Sequence, residues 1–146
     1  MNLRRRLLGA WGLGWSAWPL ARAQHVPLDT LLAPHVGTQP VRKGRVKLEL
    51  ARLADNGLNV PLKVSVDSPM TPADHVRRLL ILSNRNPRPL MAEFEFGPGC
   101  DQAVISTRVR LGGSQTVSAL AQTSDGTWWL DSADVEVTES ACLDQT

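Results

Sequence analysis

Along most of the chain, short runs of alternating apolar and polar residues are set between clusters of turn-forming ones. Arg45-Val46-Lys47-Leu48-Glu49-Leu50, Leu62-Lys63-Val64-Ser65-Val66 and Val135-Glu136-Val137 show the two-residue period of strands with one buried face. Together with the β-branched runs between them, the pattern predicts seven strands, over Arg45–Leu50, Val60–Val66, Val76–Leu82, Leu90–Phe96, Ala103–Leu111, Thr116–Ala121 and Thr127–Thr138. Turn chemistry separates them: Asp55-Asn56-Gly57, Ser68-Pro69-Met70-Thr71-Pro72, Asn84-Arg85-Asn86-Pro87, Gly97-Pro98-Gly99, Gly112-Gly113 and Asp125-Gly126. Before the first strand, Leu28, Leu31, Leu32 and Val36 recur at helical spacing, which predicts one short helix bracketed by Pro27 and Pro34. Seven short strands with no long helix between them predict an all-β fold, an immunoglobulin-like antiparallel β-sandwich with a short N-terminal helix. Pro61, Pro87 and Pro89 suit edge strands, because proline cannot donate to a ladder.

The start of the chain follows another pattern. Arg4-Arg5-Arg6 precedes an apolar run from Leu7 to Trp18, and small residues stand at Ala21 and Ala23. This is the pattern of a cleaved export signal over residues 1–23, with Gln24 as the first mature residue. The paired arginines ahead of Leu7-Leu8 fit the twin-arginine route; a general-secretion signal with a basic start is the alternative. The apolar run is shorter than the roughly 20 residues of a membrane-spanning helix, so no membrane association is expected after cleavage. Either route places the mature protein in the periplasm.

Removing that segment changes the composition. The whole chain carries 16 basic and 14 acidic residues, but residues 1–23 hold four arginines and no acid, so the remainder is at −2. Bulk positive charge for nucleic acid is thereby excluded. The remaining 123 residues suffice for one domain. Its expected parts are residues 24–40 as helix and extension, 41–138 as the sandwich and 139–146 as a C-terminal arm.

Few residues have the pattern of an active site. The chain has no phosphate-binding glycine loop, no GxSxG and no CxxC. His25, His35 and His75 are scattered, so neither a metal nor a cofactor is expected. Asp74 is expected to shape its turn, and Arg77-Arg78 to place one solvated guanidinium beside a packed stem. Trp128 and Trp129 face opposite ways on a strand, so one should enter the core and the other lie at its edge or meet a partner.

The two cysteines carry more information. Cys100 precedes the fifth predicted strand and Cys142 follows the seventh. Alternate strands of an antiparallel sandwich run the same way, so the two start from opposite ends of the fold. The four-residue tail from Glu139 to Cys142 reaches at most about 14 Å, too little to close a strand length of roughly 23 Å to the 7 Å of a disulfide. An unpaired thiol on a short arm can be presented to another protein's active site and withdrawn. A nucleophilic enzyme instead surrounds its thiol with a base and an oxyanion site. Ser140, Ala141, Leu143 and Asp144 supply neither, and the Asp144 carboxylate disfavours the thiolate. The expectation is a carrier, not an enzyme.

Several motifs match one family. Leu53-Ala54-Asp55-Asn56-Gly57, Val60-Pro61, Asp67-Ser68-Pro69-Met70-Thr71, Asn86-Pro87-Arg88-Pro89, Ser106-Thr107-Arg108-Val109-Arg110-Leu111 with Ser114-Gln115, and Asp125-Gly126-Thr127-Trp128 leading to Val135-Glu136-Val137-Thr138 together resemble SoxY, the carrier subunit of the periplasmic thiosulfate-oxidation system. The resemblance spans roughly residues 41–138. It implies the sandwich, twin-arginine export, a heterodimer with a SoxZ-like subunit, and Cys142 as the attachment point for sulfur intermediates passed between thiol-conjugating or redox enzymes. The arm departs from the family's Gly-Gly-Cys-Gly-Gly. Ser140-Ala141-Cys142-Leu143-Asp144 is closer to the related group with an Ala-Ala-Cys-Ile-Glu arm, and its side chains make it bulkier than a glycine arm. The competing expectation is a non-carrier interaction subunit of a periplasmic oxidation complex, held to its partner by an intersubunit disulfide through Cys142. Cys100 has no counterpart in the family pattern and is either a bridging thiol in its own right or a free thiol in the turn.

Overall fold

The computed structural model describes residues 25–139. The expected export signal and the arm residues Ser140, Ala141, Cys142, Leu143 and Asp144 lie outside the described residues. One helix, α1 (Leu28–Val36), is followed by nine strands: β1 (Val41–Arg42), β2 (Val46–Leu50), β3 (Leu53–Asn56), β4 (Val60–Val66), β5 (Val76–Ser83), β6 (Leu90–Glu95), β7 (Ala103–Val109), β8 (Gln115–Thr123) and β9 (Trp128–Glu139). They form two sheets, β1-β9-β8-β5-β6 with β3 also on β9, and β2-β4-β7. The immunoglobulin-like sandwich is present with nine strands rather than seven. The two unpredicted strands are short, and both pair parallel with β9, β1 at Trp128–Trp129 and β3 at Glu136–Glu139. Two and four residues are too few to show a period, and Asp55-Asn56 has the composition of a turn.

The main core lies between the sheets, where Val46, Leu62, Val64, Leu79, Ile81, Val117, Ala119 and Val135 meet. A second cluster lies on the other face of the larger sheet, where Leu31 and Leu32 of α1 cover Leu80, Leu82, Leu120, Trp128 and Leu130. This is why Leu79–Leu82 of β5 and Ala119–Ala121 of β8 lack alternation: both faces of these strands are buried there. Pro34 lies inside α1, not beyond it. It falls in the last turn of a short helix, where only one intrahelical bond is lost.

The helix also settles the tryptophans. Trp128 is 2% exposed beneath α1 and has no surface to offer a partner. Trp129 points the other way and is half-buried; its Nε1 donates to Thr123 Oγ1 at 3.3 Å, and Arg45 stacks 5.5 Å from its ring centroid. Pro61 also departs from expectation, because β4 is the central strand of its sheet. The β2 ladder ends at the Leu50–Leu62 pair, so Pro61, one position beyond, has a neighbour on one side only, Arg108. Pro87 and Pro89 precede β6, which is an edge strand as expected.

Polar side chains join the layers. Asp131 Oδ2 accepts from the Leu48 N–H at 2.8 Å, linking the edge strand β2 to β9. Asp131→Ala leaves that donor unpaired, and an equilibrium urea melt is expected to show a loss of about 1–2 kcal/mol. In the β8–β9 turn, Asp125 accepts from Thr123 Oγ1, from the Thr127 N–H and from Thr127 Oγ1 at 2.6–3.0 Å. The Thr123 hydroxyl, then the Thr127 donors, hold its carboxyl down to about 2. A carboxyl depressed in the fold stabilises above its unfolded value, near 3.9, and that contribution disappears as pH falls through about 2. Asp125→Asn keeps acceptor geometry but cannot titrate. Its melting temperature should therefore fall less steeply than the wild type's between these two pH values, when both are followed by circular dichroism.

Candidate functional site

β9 runs for twelve residues and ends at Glu139, three residues before Cys142. Its last four residues are held on both sides. Along β3, Glu136 N–H donates to Arg52 O at 2.8 Å and Gly57 N–H donates to Glu139 O at 2.9 Å. Thr138 Oγ1 donates to Asp55 O at 2.8 Å. On the opposite side, Val137 N–H donates to Ser114 Oγ at 2.9 Å. The chain therefore leaves a fixed root, and the unpredicted strand β3 supplies half of it.

A buried polar network supports that root. Gln115, 4% exposed, accepts from the Ser83 hydroxyl and donates through Nε2 to Asn86 Oδ1 at 3.1 Å and Gly113 O at 3.0 Å. Asn86 donates to Arg110 O at 2.8 Å and accepts from Gly112 N–H at 3.0 Å. Among the described residues, no buried side-chain nitrogen or oxygen lacks a partner. Arg85 lies across Gly113 and donates to Ser114 O at 3.0 Å. The backbone at Gly113 is at φ +144°, so any other residue there would be strained, and a Cβ would also push the Arg85 guanidinium aside. Leu111 N–H donates to Gly57 O at 2.7 Å and closes the circuit from this network to the arm root.

The motifs singled out from the sequence thus fall into two groups. Leu53–Gly57, Asn86–Pro89, Arg108–Leu111, Ser114-Gln115 and Val135–Thr138 converge on the root. Asp67–Thr71 and Asp125–Trp128 lie at the other end of the sandwich. There Asp74 shapes its turn as expected, accepting from Thr71 N–H at 2.9 Å through its carbonyl and pairing through its carboxylate with Arg45 at 3.0 Å. Arg78 pairs with Glu93 at 2.6 Å, while Arg77 is exposed. Cys100 is exposed and bonds through its N–H to Gly97 O. It precedes β7, whose first residue pairs with Val66 and whose last pairs with Val60 near the arm root.

The buried network was not foreseen as functional. Asn86-Pro87 and Ser114-Gln115 were visible as motifs, but their meeting depends on two loops 29 residues apart in sequence. Beside the root lies a hollow of about 550 Å³, lined by Arg52, Arg85, Asp134 and Glu136 among others, and so mixed in charge. Among the described residues, no group of three or more His, Cys, Asp or Glu side chains converges as metal ligands would; His25, His35 and His75 remain apart.

Fold and site together define a class: an immunoglobulin-like sandwich whose final strand is clamped up to the root of a thiol-bearing tail. The family model for sulfur oxidation protein SoxY matches residues 33–142, and the chain belongs to that family. Among solved structures, the sulfur carrier protein SoxY from Chlorobium limicola f thiosulfatophilum superposes with a TM-score of 0.63 at 22% identity, over 75% of this chain and 90% of that one. A superoxide reductase (neelaredoxin) from Ignicoccus hospitalis gives 0.58 at 18% identity, over 64% and 80%. A superoxide reductase variant from Archaeoglobus fulgidus gives 0.51 at 17%, over 63% and 87%. At these identities the structural likeness is one of fold alone. No curated protein sequence matches the chain significantly.

Proposed function

We propose that this protein is a periplasmic covalent carrier that holds a sulfur-containing group on Cys142 and presents it to partner enzymes, as a heterodimer with a SoxZ-like subunit. The observation that carries the reading is the clamped root: family membership supplies the carrier role, and β9 is fixed up to the third residue before the thiol. A rigid platform with a short tether confines the cargo to one end of the fold, which favours encounter in one orientation. The Ser-Ala-Cys-Leu-Asp arm points to the group with an Ala-Ala-Cys-Ile-Glu arm, and its bulk to enzyme channels wider than those a glycine arm threads. Twin-arginine export and cleavage near Ala23 complete the reading.

The cysteine geometry supports it. The three residues that follow Glu139 and end at Cys142 reach about 11 Å, whereas Cys100 lies beyond the far end of β7, whose seven residues span roughly 20 Å. An intrachain bridge is out of reach. Intact-mass spectrometry of protein purified from its own host tests the carrier reading: a thiol-labile added mass is expected on Cys142, and a bare thiol under every growth condition overturns it.

The exposure of Cys100 favours a second reading, in which the protein is an interaction subunit joined to its partner by a disulfide. Non-reducing electrophoresis separates the two. A reducible heterodimer lost on Cys142→Ser or Cys100→Ser supports the bridge, and a complex that survives both changes supports the carrier.

A further inference from the structure

We infer that the arginines flanking the arm root form a docking surface for the acidic rim of an enzyme that acts on Cys142; this rests on the carrier reading above. Residues 84–92 and 104–124 contain no aspartate or glutamate, and both stretches include loops at the arm end of the sandwich. The loops carry Arg85, Arg88 and Arg110, and Arg108 lies beside them at the end of β7. The described residues form three ion pairs, Arg45–Asp74, Lys47–Glu49 and Arg78–Glu93, and none involves these four arginines.

The four are held in one place. Asn86, between Arg85 and Arg88 in sequence, donates to the Arg110 carbonyl and receives the Gly112 N–H, so the two loops move as one body. Leu111, next to Arg110, bonds to Gly57, which bonds to Glu139 at the foot of the arm. Arg88, Arg108 and Arg110 are exposed, and Arg85 is half-buried over Gly113. The patch continues onto the outer face of the smaller sheet, where Arg108, Lys63 and Pro61 line an open groove of about 990 Å³. Its one acid, Glu49, is engaged by Lys47 at 2.8 Å.

The occupant follows from the shape and sign of the patch. The hollow beside the root balances Arg52 and Arg85 against Asp134 and Glu136, so it does not select a small anion. Outside it, Asp55 and Glu139 stand on the β3–β9 side of the arm foot, whereas the two loops and the adjoining sheet face carry arginines without a paired acid, which suits carboxylates distributed around the mouth of a protein. Arginine pairs with such carboxylates in bidentate geometry. The chain after its first 23 residues has a charge of −2, so this is a local feature and not general basicity. Placed around the arm, it would orient the acidic enzyme mouth toward the thiol during encounter.

The test replaces Arg88, Arg108 and Arg110 together with glutamate in the full chain, expressed in its own host. The fraction of Cys142 carrying an added mass is compared with that of the wild type. A shift of about tenfold in the ratio of loaded to bare thiol is expected, the size that electrostatic steering commonly produces. Glutamate at Arg42, Lys43 and Arg77, toward the opposite end, should leave the ratio unchanged. Glutamine at the three docking positions should give an intermediate shift, which guards against misfolding of the reversed variant, as does an unaltered thermal melt. An unchanged ratio in the glutamate variant overturns the docking surface while leaving the carrier reading intact. A wild type without adduct overturns both. Saturable binding of free sulfate or thiosulfate to Cys142→Ser protein, abolished by the three glutamates, would make the patch a small-anion site and also overturn it.

Discussion

Cys142→Ser removes every covalently carried mass from the protein, whereas Cys100→Ser leaves the loaded fraction as it was. The reason is positional as well as chemical. A serine hydroxyl is not ionised near neutral pH and has no base beside it in Ser140-Ala141-Cys142-Leu143-Asp144, so it cannot replace a thiol in exchange chemistry. Cys100 has the same chemistry, but it lies in the Gly97–Asp101 loop at the far end of β7, away from the arm root and its flanking arginines. Both variants should melt with the wild type, because Cys100 is exposed and Cys142 follows the last strand. Intact mass before and after reductant is the measurement. Adduct persisting on Cys142→Ser protein would move the cargo to another residue and refute the assignment.

Gln115→Leu is expected to cost about 3 kcal/mol, on the order of 10 °C in melting temperature for a domain of this size. The side chain is buried and makes three hydrogen bonds, to Ser83, Asn86 and Gly113. Leucine fills much of the same volume but leaves Ser83 and the Gly113 carbonyl without that partner, and each unpaired buried group costs about 1–3 kcal/mol. The loss should be felt at the arm. Gly113 and Ser114 immediately precede Gln115, and Ser114 Oγ receives the Val137 N–H, so amide exchange at Val137 should accelerate more than at Leu80 or Leu120 in the helix-covered layer. Urea denaturation and hydrogen exchange check the two parts separately. A change below about 0.5 kcal/mol, the level of an ordinary surface substitution, would show that the network is dispensable.

The likeness to superoxide reductases places the site in context. A similar fold occurs in proteins named as superoxide reductases, so the scaffold does not specify chemistry. In this chain one end is finished by β3 and Ser114, which hold the last strand, and by two arginine-bearing loops tied beside it. The opposite end is finished otherwise, with Asp74 neutralised by Arg45 and Asp125 satisfied within its own turn.

Much of this was legible residue by residue. Alternation in Val46–Leu50 and Val60–Val66 reports a buried face directly, because side chains on a strand point to opposite sides in turn. The same rule separated Trp128 from Trp129. It could not say that α1 would cover the outer face, since that depends on Leu31 and Leu32 meeting Leu80 and Leu120 across the fold. Pro61 misled for a related reason. Proline's missing donor matters only where a neighbour needs it, and strand order and the end of the β2 ladder determine that.

The sequence by itself pointed to a β-sandwich, an N-terminal helix and a cysteine beyond the last predicted strand, because periodicity and local composition encode those features. The tertiary structure alone established where the thiol's tether is rooted and what surrounds it. β3 is too short and polar to announce itself, and it exists because β9 offers an open edge. Gln115, Asn86 and Ser83 become a network only when two loops fold together. The four arginines, unremarkable in a chain of mixed charge, become a surface because long-range contacts gather them at one end of the sandwich while their chain neighbours contribute no acid.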